Sequence, residues 1–347
     1  MSVSTIEWRE GKVLILDQRK LPIKKVYLEC TDYREVAEAI KTLAVRGAPL
    51  IGIAAAYGVA LGVWHCRSRD REAMRHELAA ILQVLEGTRP TAINLSWALR
   101  RMAKVADSCS GHSVELLREG LLNEALKIHE EDRRTCAAIG QHGAALLPRG
   151  ATVLTHCNAG ALATGGLGTA LAVVYVANQQ GKKVKVYADE TRPLLQGARL
   201  TVWELMEGGV DVTLICDDVA ATLLRDRNVD CVIVGADRIA SNGDVANKIG
   251  TYNLAILAKE HGVPFYVAAP LSTFDFSLED GKGVPIEERS SEEVANFAGR
   301  RTAPRGTKVF CPAFDVTPVR YITGIITEFG VARRPYSKSL MDLRRHT

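Results

Sequence analysis

The 347-residue sequence contains no G-x-G-x-x-G, no G-x-x-x-x-G-K-[ST], no G-x-S-x-G and no C-x-x-C. The first two absences remove the usual dinucleotide and nucleoside-triphosphate loops. The third removes the nucleophile elbow of a serine hydrolase, and the fourth removes zinc-ribbon and dithiol redox motifs. Long apolar runs are also missing, and no window approaches the roughly 20 uninterrupted apolar residues of a membrane span. The run 49–64, PLIGIAAAYGVALGVW, comes closest and reads as a buried helix. The opening residues, MSVSTIEWREGKVLILDQ, carry acids and no apolar core of signal-peptide length. Charge of one sign is not concentrated either: 44 Lys and Arg face 40 Asp and Glu, a net of +4. Nucleic-acid binding is therefore not indicated, and Arg344-Arg345 reads as a solvated end. The eight cysteines (30, 66, 109, 136, 157, 216, 231 and 311) are spread without ligand spacing. That pattern points to reduced thiols in a cytoplasmic protein with no structural zinc and no membrane association.

What is present changes character near residue 150. After a short hairpin-like opening at about 6–17, apolar residues recur at three- and four-residue spacings through residues 32–45, 49–64, 71–87, 92–107 and 114–147, which predicts a mostly helical N-terminal domain over 1–149. Beyond Pro148-Arg149-Gly150, the β-branched runs ATVLTH, KKVKVYAD, VDVTLIC, VDCVIVGAD and VPFYVAA alternate with helical stretches. That rhythm predicts an α/β fold: a Rossmann-like, doubly wound parallel sheet over 150–347, each strand followed by a helix. In such sheets ligands gather where strands lead into helices. Cys157, Asp189-Glu190, Asp217-Asp218 and Asp237 follow four of these runs, so four loops carry polar groups toward one rim. Asp217-Asp218, just before VAATLL, also fits an ordinary helix N-cap. Residues 280–294 read as a surface excursion.

Several pieces suit a phosphorylated small molecule. Arg46 in VRGAPLIG and Arg89 in GTRPTAINLSW are either buried ion-pair partners or anion forks. Asn247 and Lys248 stand just before a helix expected near Gly250, and a helix start beside a lysine suits a phosphate. The glycines of ATGGLGTA (163–170) fail both nucleotide templates and are read as packing glycines.

The stretches RGAPLIG, THCNAGALAT, DETRPLLQGARLT, GADRIASNGDVANKIGTYNLA and PAFDVTP, in this order, resemble the methylthioribose-1-phosphate isomerase family. That family is grouped with ribose-1,5-bisphosphate isomerases and with regulatory subunits of the translation-initiation exchange factor. The resemblance covers essentially the whole chain. It implies an aldose-ketose isomerase of methionine salvage that turns 5-methylthioribose 1-phosphate into 5-methylthioribulose 1-phosphate without a metal or cofactor. It further implies a homodimer formed through the sheet-containing domain. Cys157 and Asp237 fall on the family's catalytic thiol and acid. Arg46, Gly47, Ala48, Arg89, Gln196, Asn247 and Lys248 fall on its substrate-contacting positions. A ribose-1,5-bisphosphate isomerase or a non-catalytic regulatory subunit are the alternatives; the regulatory subunits generally lack the catalytic pair that this chain retains. CPAF at 311–314 and TPVRYI at 317–322 depart from the family's usual residues.

Chemically, a furanose phosphorylated at its anomeric carbon cannot open as a free sugar does, so a proton must reach the ring oxygen. Asp237 is the expected acid, kept protonated by apolar surroundings. Cys157 is the expected base or transition-state stabiliser, with help from the start of the helix that follows it, and these residues fit both a C2-to-C1 proton transfer through an enol and a direct hydride shift. A free cysteine is ordinarily a small buried hydrophobe, but the motif and the paired Asp237 make Cys157 a working thiol. His156 is expected to be a structural neighbour with a fixed tautomer, and Asp189-Glu190 to serve hydrogen bonding or an interface.

Overall fold

The computed structural model describes residues 4–68, 70–108 and 113–345. The thiol of Cys109 and the side chain of Arg344 lie outside what it describes. The chain forms two compact units, one of residues 1–137 with 160–168, the other of residues 138–159 with 169–347.

In the first unit, β1 (Ile6–Arg9) and β2 (Lys12–Leu16) make the expected hairpin, and β3 (Tyr27–Cys30) pairs antiparallel with the other edge of β2. Helix α1 (Tyr33–Lys41) begins at Asp32. Its carboxylate accepts the Arg34 amide, and Glu35 reaches back to the Asp32 N–H, the reciprocal cap that D-x-x-E encodes. Helix α2 (Ala48–His65) is apolar on every side because α1, α3 (Arg71–Glu86) and α4 (Ile93–Ser108) pack around it. It is the one described helix long and apolar enough to cross a membrane, and 78% of it is buried. Small residues permit that packing: a Cβ on Gly62 would sit 2.6 Å from the Ile81 side chain. Helix α5 (Val114–Ala144) belongs to the first unit as far as Ala137.

The short return segment 160–168 is tied into the same unit. Thr5 donates to the Ala161 carbonyl at 3.1 Å and Gln18 to that of Leu162 at 2.7 Å, while Asp132 accepts the Gly165 amide at 2.6 Å. Side chains on Gly165 and Gly166 would collide with His129 and with Arg133 and Cys136, so these glycines do pack.

The second unit is built on β4 (Thr152–Thr155), α6 (Ala170–Gln179), β5 (Lys185–Asp189), α7 (Val202–Glu207), β6 (Asp211–Ile215), α8 (Ala220–Arg225) and β7 (Cys231–Val234). A hairpin of β8 (Arg238–Ala240) and β9 (Val245–Lys248) follows, then α9 (Thr251–Glu260), β10 (Phe265–Ala268) and β11 (Phe274–Asp275). The chain ends with α10 (Glu292–Ala295), the two-residue strands β12 (Asn296–Phe297) and β13 (Arg300–Arg301), β14 (Phe314–Thr317), β15 (Gly324–Thr327), β16 (Gly330–Ala332) and α11 (Tyr336–Arg344).

The main sheet runs β16-β15-β10-β7-β4-β5-β6 and is parallel except for β16. Its central strands CVIV and FYVA are buried on both faces, as a doubly covered parallel sheet requires. A second sheet, β11-β8-β9-β14, corrects one expectation. The strand VDCVIVGAD leads into a hairpin rather than a helix, and VPFYVAA leads into a single turn, Leu271–Thr273, before β11. The hairpin turns at Ser241-Asn242-Gly243-Asp244, where Gly243 takes φ +89°.

Candidate active site

The parallel order β7-β4-β5-β6 places the loops after these four strands at one rim of the sheet. Cys157 follows β4 and Asp237 follows its direct neighbour β7. A Cβ on Gly235 would come within 2.7 Å of Ala159, so the loop carrying Asp237 packs against the loop carrying Cys157. The Asp237 amide donates to the Ala246 carbonyl at 2.9 Å, which docks it on β9 beside Asn247.

Cys157 is half-buried and has φ +60°, a left-handed conformation that few non-glycine residues adopt. Two threonines hold it there. Its amide donates to Thr191 Oγ1 at 2.8 Å, and its carbonyl accepts from Thr201 Oγ1 at 2.5 Å. Thr191 is itself left-handed, at φ +64°, and its amide and that of Arg192 donate to the two oxygens of Asp217, each at 2.7 Å. The Asp217 carboxylate therefore braces the loop after β5. This overturns the helix-cap reading of Asp217-Asp218: the N-cap of the turn Asp217–Val219 is Cys216 and that of α8 is Val219, and neither makes a side-chain cap bond. Two other thiols are made weak acids by their surroundings. Burial pushes Cys30 up to about 11 and Cys231 up to about 12.

DETRPLLQGARLT folds into an unusual element. Residues Gly197–Thr201 form a π-helical turn that runs directly into α7, a distortion that often marks functional sites. It delivers Thr201 to Cys157, and Asn158 completes the brace by donating to Thr201 at 3.2 Å and to the buried Glu204 at 3.0 Å. Tyr175 donates to the other Glu204 oxygen at 3.1 Å. Gln196 precedes the turn, 5% exposed, with its side-chain oxygen buried and unpaired. A buried amide oxygen without a donor is costly, and a ligand hydroxyl would satisfy it.

His156 ties this assembly to β9 and α9. Nδ1 lies 2.8 Å from Asp189 Oδ2 and Nε2 lies 2.8 Å from the Ile249 carbonyl, with the imidazole 2% exposed. Burial opposes charge on the ring, but Asp189, the Ile249 carbonyl and Asp217 outweigh it and raise the histidine above its ordinary value. Burial likewise lifts Asp189 to about 6, against the pull of His156. Donor atoms of His156, Asp189 and Asp217 fall within 4.8 Å of one another, a spacing that would suit a metal. Both ring nitrogens and both Asp217 oxygens are already committed, so the trio is a hydrogen-bond network and the donor set does not fit an ion.

Asn247 donates to Thr251 at 3.0 Å, and Lys248 donates to the Ala313 carbonyl at 2.8 Å with its ammonium 4.7 Å above the Phe314 ring. The helix start beyond them is not the phosphate cradle expected from the sequence. Asp315 already accepts from Gly250 at 2.7 Å and from Tyr252 at 3.1 Å, and a phosphate there would meet a carboxylate. Nor does an α-helix follow Cys157 directly. The next element is the three-residue turn Ala161–Ala163, and α6 begins only at Ala170, its Leu171 amide taken by the Ala159 carbonyl.

The remaining candidates, Arg46, Gly47, Ala48 and Arg89, lie in the first unit. Gly47 heads α2 at φ +100°, and a Cβ there would fall 2.5 Å from Ala163 Cα, so only glycine fits. Arg46 is buried and donates to Gln18 at 3.1 Å. That end of α2 carries no side-chain cap. Sequence reasoning did not single out Thr191, Thr201 or Asp315. The first two are hydroxyls inside a recognised motif, the only available signal, and Asp315 stands in PAFDVTP without an obvious partner.

A model of the Initiation factor 2 subunit family matches residues 44–334. The chain is 56% identical over 344 residues to methylthioribose-1-phosphate isomerase of Geobacter metallireducens, covering 99% of both chains. It is 54% identical over 343 residues to the Trichlorobacter lovleyi protein of the same name, again with 99% of both covered. Among solved structures it is similar to 5-methylthioribose 1-phosphate isomerase from Pyrococcus horikoshii OT3, with TM-score 0.93, 46% identity, and 99% of this chain and 96% of that one covered. It is also similar to translation initiation factor eIF-2B, subunit delta, from A. fulgidus, with TM-score 0.88, 47% identity, and 98% and 100% covered.

Proposed function

Since the chain belongs to the Initiation factor 2 subunit family and, within it, to the methylthioribose-1-phosphate isomerases, we propose that it isomerises 5-methylthioribose 1-phosphate to 5-methylthioribulose 1-phosphate. The observation that carries the reading is the pairing of Cys157 and Asp237 on packed loops after neighbouring parallel strands.

Asp237 protonates the ring oxygen as its bond to C1 breaks. Cys157, as thiolate, then removes the C2 proton and returns a proton at C1 through an enol, leaving a C2 ketone. In the alternative route hydride passes from C2 to C1 while the base takes the C2 hydroxyl proton. Deuterium placed at C2 separates the two: the hydride route retains it fully at C1, and its loss to solvent during turnover marks the enol route.

Arg46, Gly47, Ala48, Arg89, Gln196, Asn247 and Lys248 are the proposed substrate contacts. The unpaired Gln196 oxygen supports recognition of a sugar hydroxyl. The start of α2 at Gly47, next to Arg46, supports an anion. The seven described cysteines are all free, which supports a reducing, cytoplasmic setting.

Phosphorus and proton NMR of the protein with methylthioribose 1-phosphate tests the function. Wild type converts it to the ketose phosphate, and Cys157→Ala and Asp237→Asn lose activity by about 10²–10⁴-fold. Turnover of ribose 1,5-bisphosphate alone would move the reading to the bisphosphate enzyme, and binding without turnover would move it to a regulatory subunit.

A further inference from the structure

Both hydrogen-bond partners of the His156 ring are acceptors. Nδ1 meets Asp189 at the end of β5, Nε2 meets the Ile249 carbonyl between β9 and α9, and both contacts are 2.8 Å. Asp217, in the loop after β6, and Asp315, on β14, add negative charge around the ring, with Glu190 beyond Asp189. Lys248 is a cation that faces this group, through Asp315. A neutral imidazole has one N–H and can serve only one of its two partners. The other contact would then set a ring lone pair against a buried oxygen. The ring also fixes backbone: Gly250 sits at φ +102°, and a Cβ there would lie 2.9 Å from the imidazole.

We propose that His156 is held as a doubly protonated imidazolium, and that it is a positioning residue which locks the turn bearing Cys157 to the Asn247–Gly250 segment and to Asp189. The ring is neither base nor metal ligand, because neither nitrogen has a lone pair to offer. The consequence for activity rests on the isomerase reading; the protonation state does not. When alkaline pH removes one ring proton, either Asp189 or the Ile249 carbonyl loses its donor inside the fold. The Cys157 turn then loosens and kcat falls without any change in the reacting groups. The direction of the histidine shift agrees: against burial, Asp189, the Ile249 carbonyl and Asp217 raise the ring above its ordinary value and so move loss of its proton toward the alkaline side.

Two measurements decide this. Nitrogen NMR of the full-length, histidine-labelled protein, with His156→Gln used to assign the signal, should show both His156 nitrogens protonated at pH 7. A ring with one protonated nitrogen overturns the proposal. The pH profile of kcat should carry an alkaline step that coincides with the His156 titration. His156→Gln, which donates to only one partner, should lose that step and about tenfold to a hundredfold in kcat, the scale of a small misplacement, with KM changed far less. A variant profile that keeps the step overturns the positioning role. If wild type turns over no methylthioribose 1-phosphate, the functional reading falls while the NMR result still decides the imidazolium.

Discussion

Two linked residues at this site, neither of them glycine, hold left-handed backbone. Cys157 and Thr191 stand at φ +60° and +64°, joined by the bond from the Cys157 amide to the Thr191 hydroxyl. Each conformation costs on the order of 1–3 kcal/mol and persists only where its surroundings over-determine it. Here the over-determination comes from Asp217 and Thr201. Asp315 shows a different compromise. It caps α9 with two amide bonds, yet burial outweighs them and lifts its carboxyl to about 6. A folded value above the unfolded one means that the folded state binds the extra proton. The resulting stability is fully present below about pH 4 and is lost as pH rises through about 6. Relative to Asp315→Asn, wild type should therefore gain on the order of 1–3 kcal/mol as pH falls from 7 to 4. Urea midpoints of both proteins across that range check it, and a difference that shrinks or stays flat on acidification contradicts it.

At the scale of elements, the π-helical turn Gly197–Thr201 is the distinctive structure that the DETRPLLQGARLT motif builds. Gly197 rests on the end of β5, where a Cβ would fall 1.6 Å from the Asp189 carbonyl oxygen, while Thr201, one turn on, holds Cys157. Gly197→Ala must push these apart. We expect a loss of about 2–4 kcal/mol in stability and a fall in kcat of at least tenfold in whatever folds, read by denaturant unfolding and by the NMR assay. A variant as stable and active as wild type would show that the turn is not a clamp.

None of this geometry is written in periodicity. The helices around α2 and five of the six parallel strands, β4, β5, β6, β7 and β10, are legible because apolar spacing reports a face buried against neighbours. The hairpin β8–β9 is signalled by Asn242-Gly243 alone between RIA and VANK, because strands of three and four residues are too short for apolar alternation to register. Strand β3, YLEC, has a single buried residue and so no contrast to read. The candidate residues were found by motif. Their supports Thr191, Thr201 and Asp217 act through hydrogen bonds between loops that are distant in sequence, which no local pattern encodes.

For the whole molecule, the sheet is unequally finished at its two ends. One end is closed by the short antiparallel strand β16, whereas the other is β6, a five-residue parallel strand with an open edge and little burial. Leu214 on β6 is 47% exposed, Met206 at the end of α7 is 67% exposed and Val219 ahead of α8 is 38% exposed. An open strand edge flanked by apolar side chains pairs with another chain unless it is covered. A second copy related by a two-fold axis would cover it with the same patch, the commonest arrangement of a homo-oligomer. This is the face through which we place the proposed homodimer. Light scattering should give about twice the 37.7 kDa chain mass for wild type. Leu214→Glu together with Met206→Glu should shift the population toward monomer at micromolar concentration, by burying unpaired charge in the interface. A wild-type monomer would remove the dimer itself. A double variant that keeps the full dimer mass would leave the dimer but move its interface away from β6.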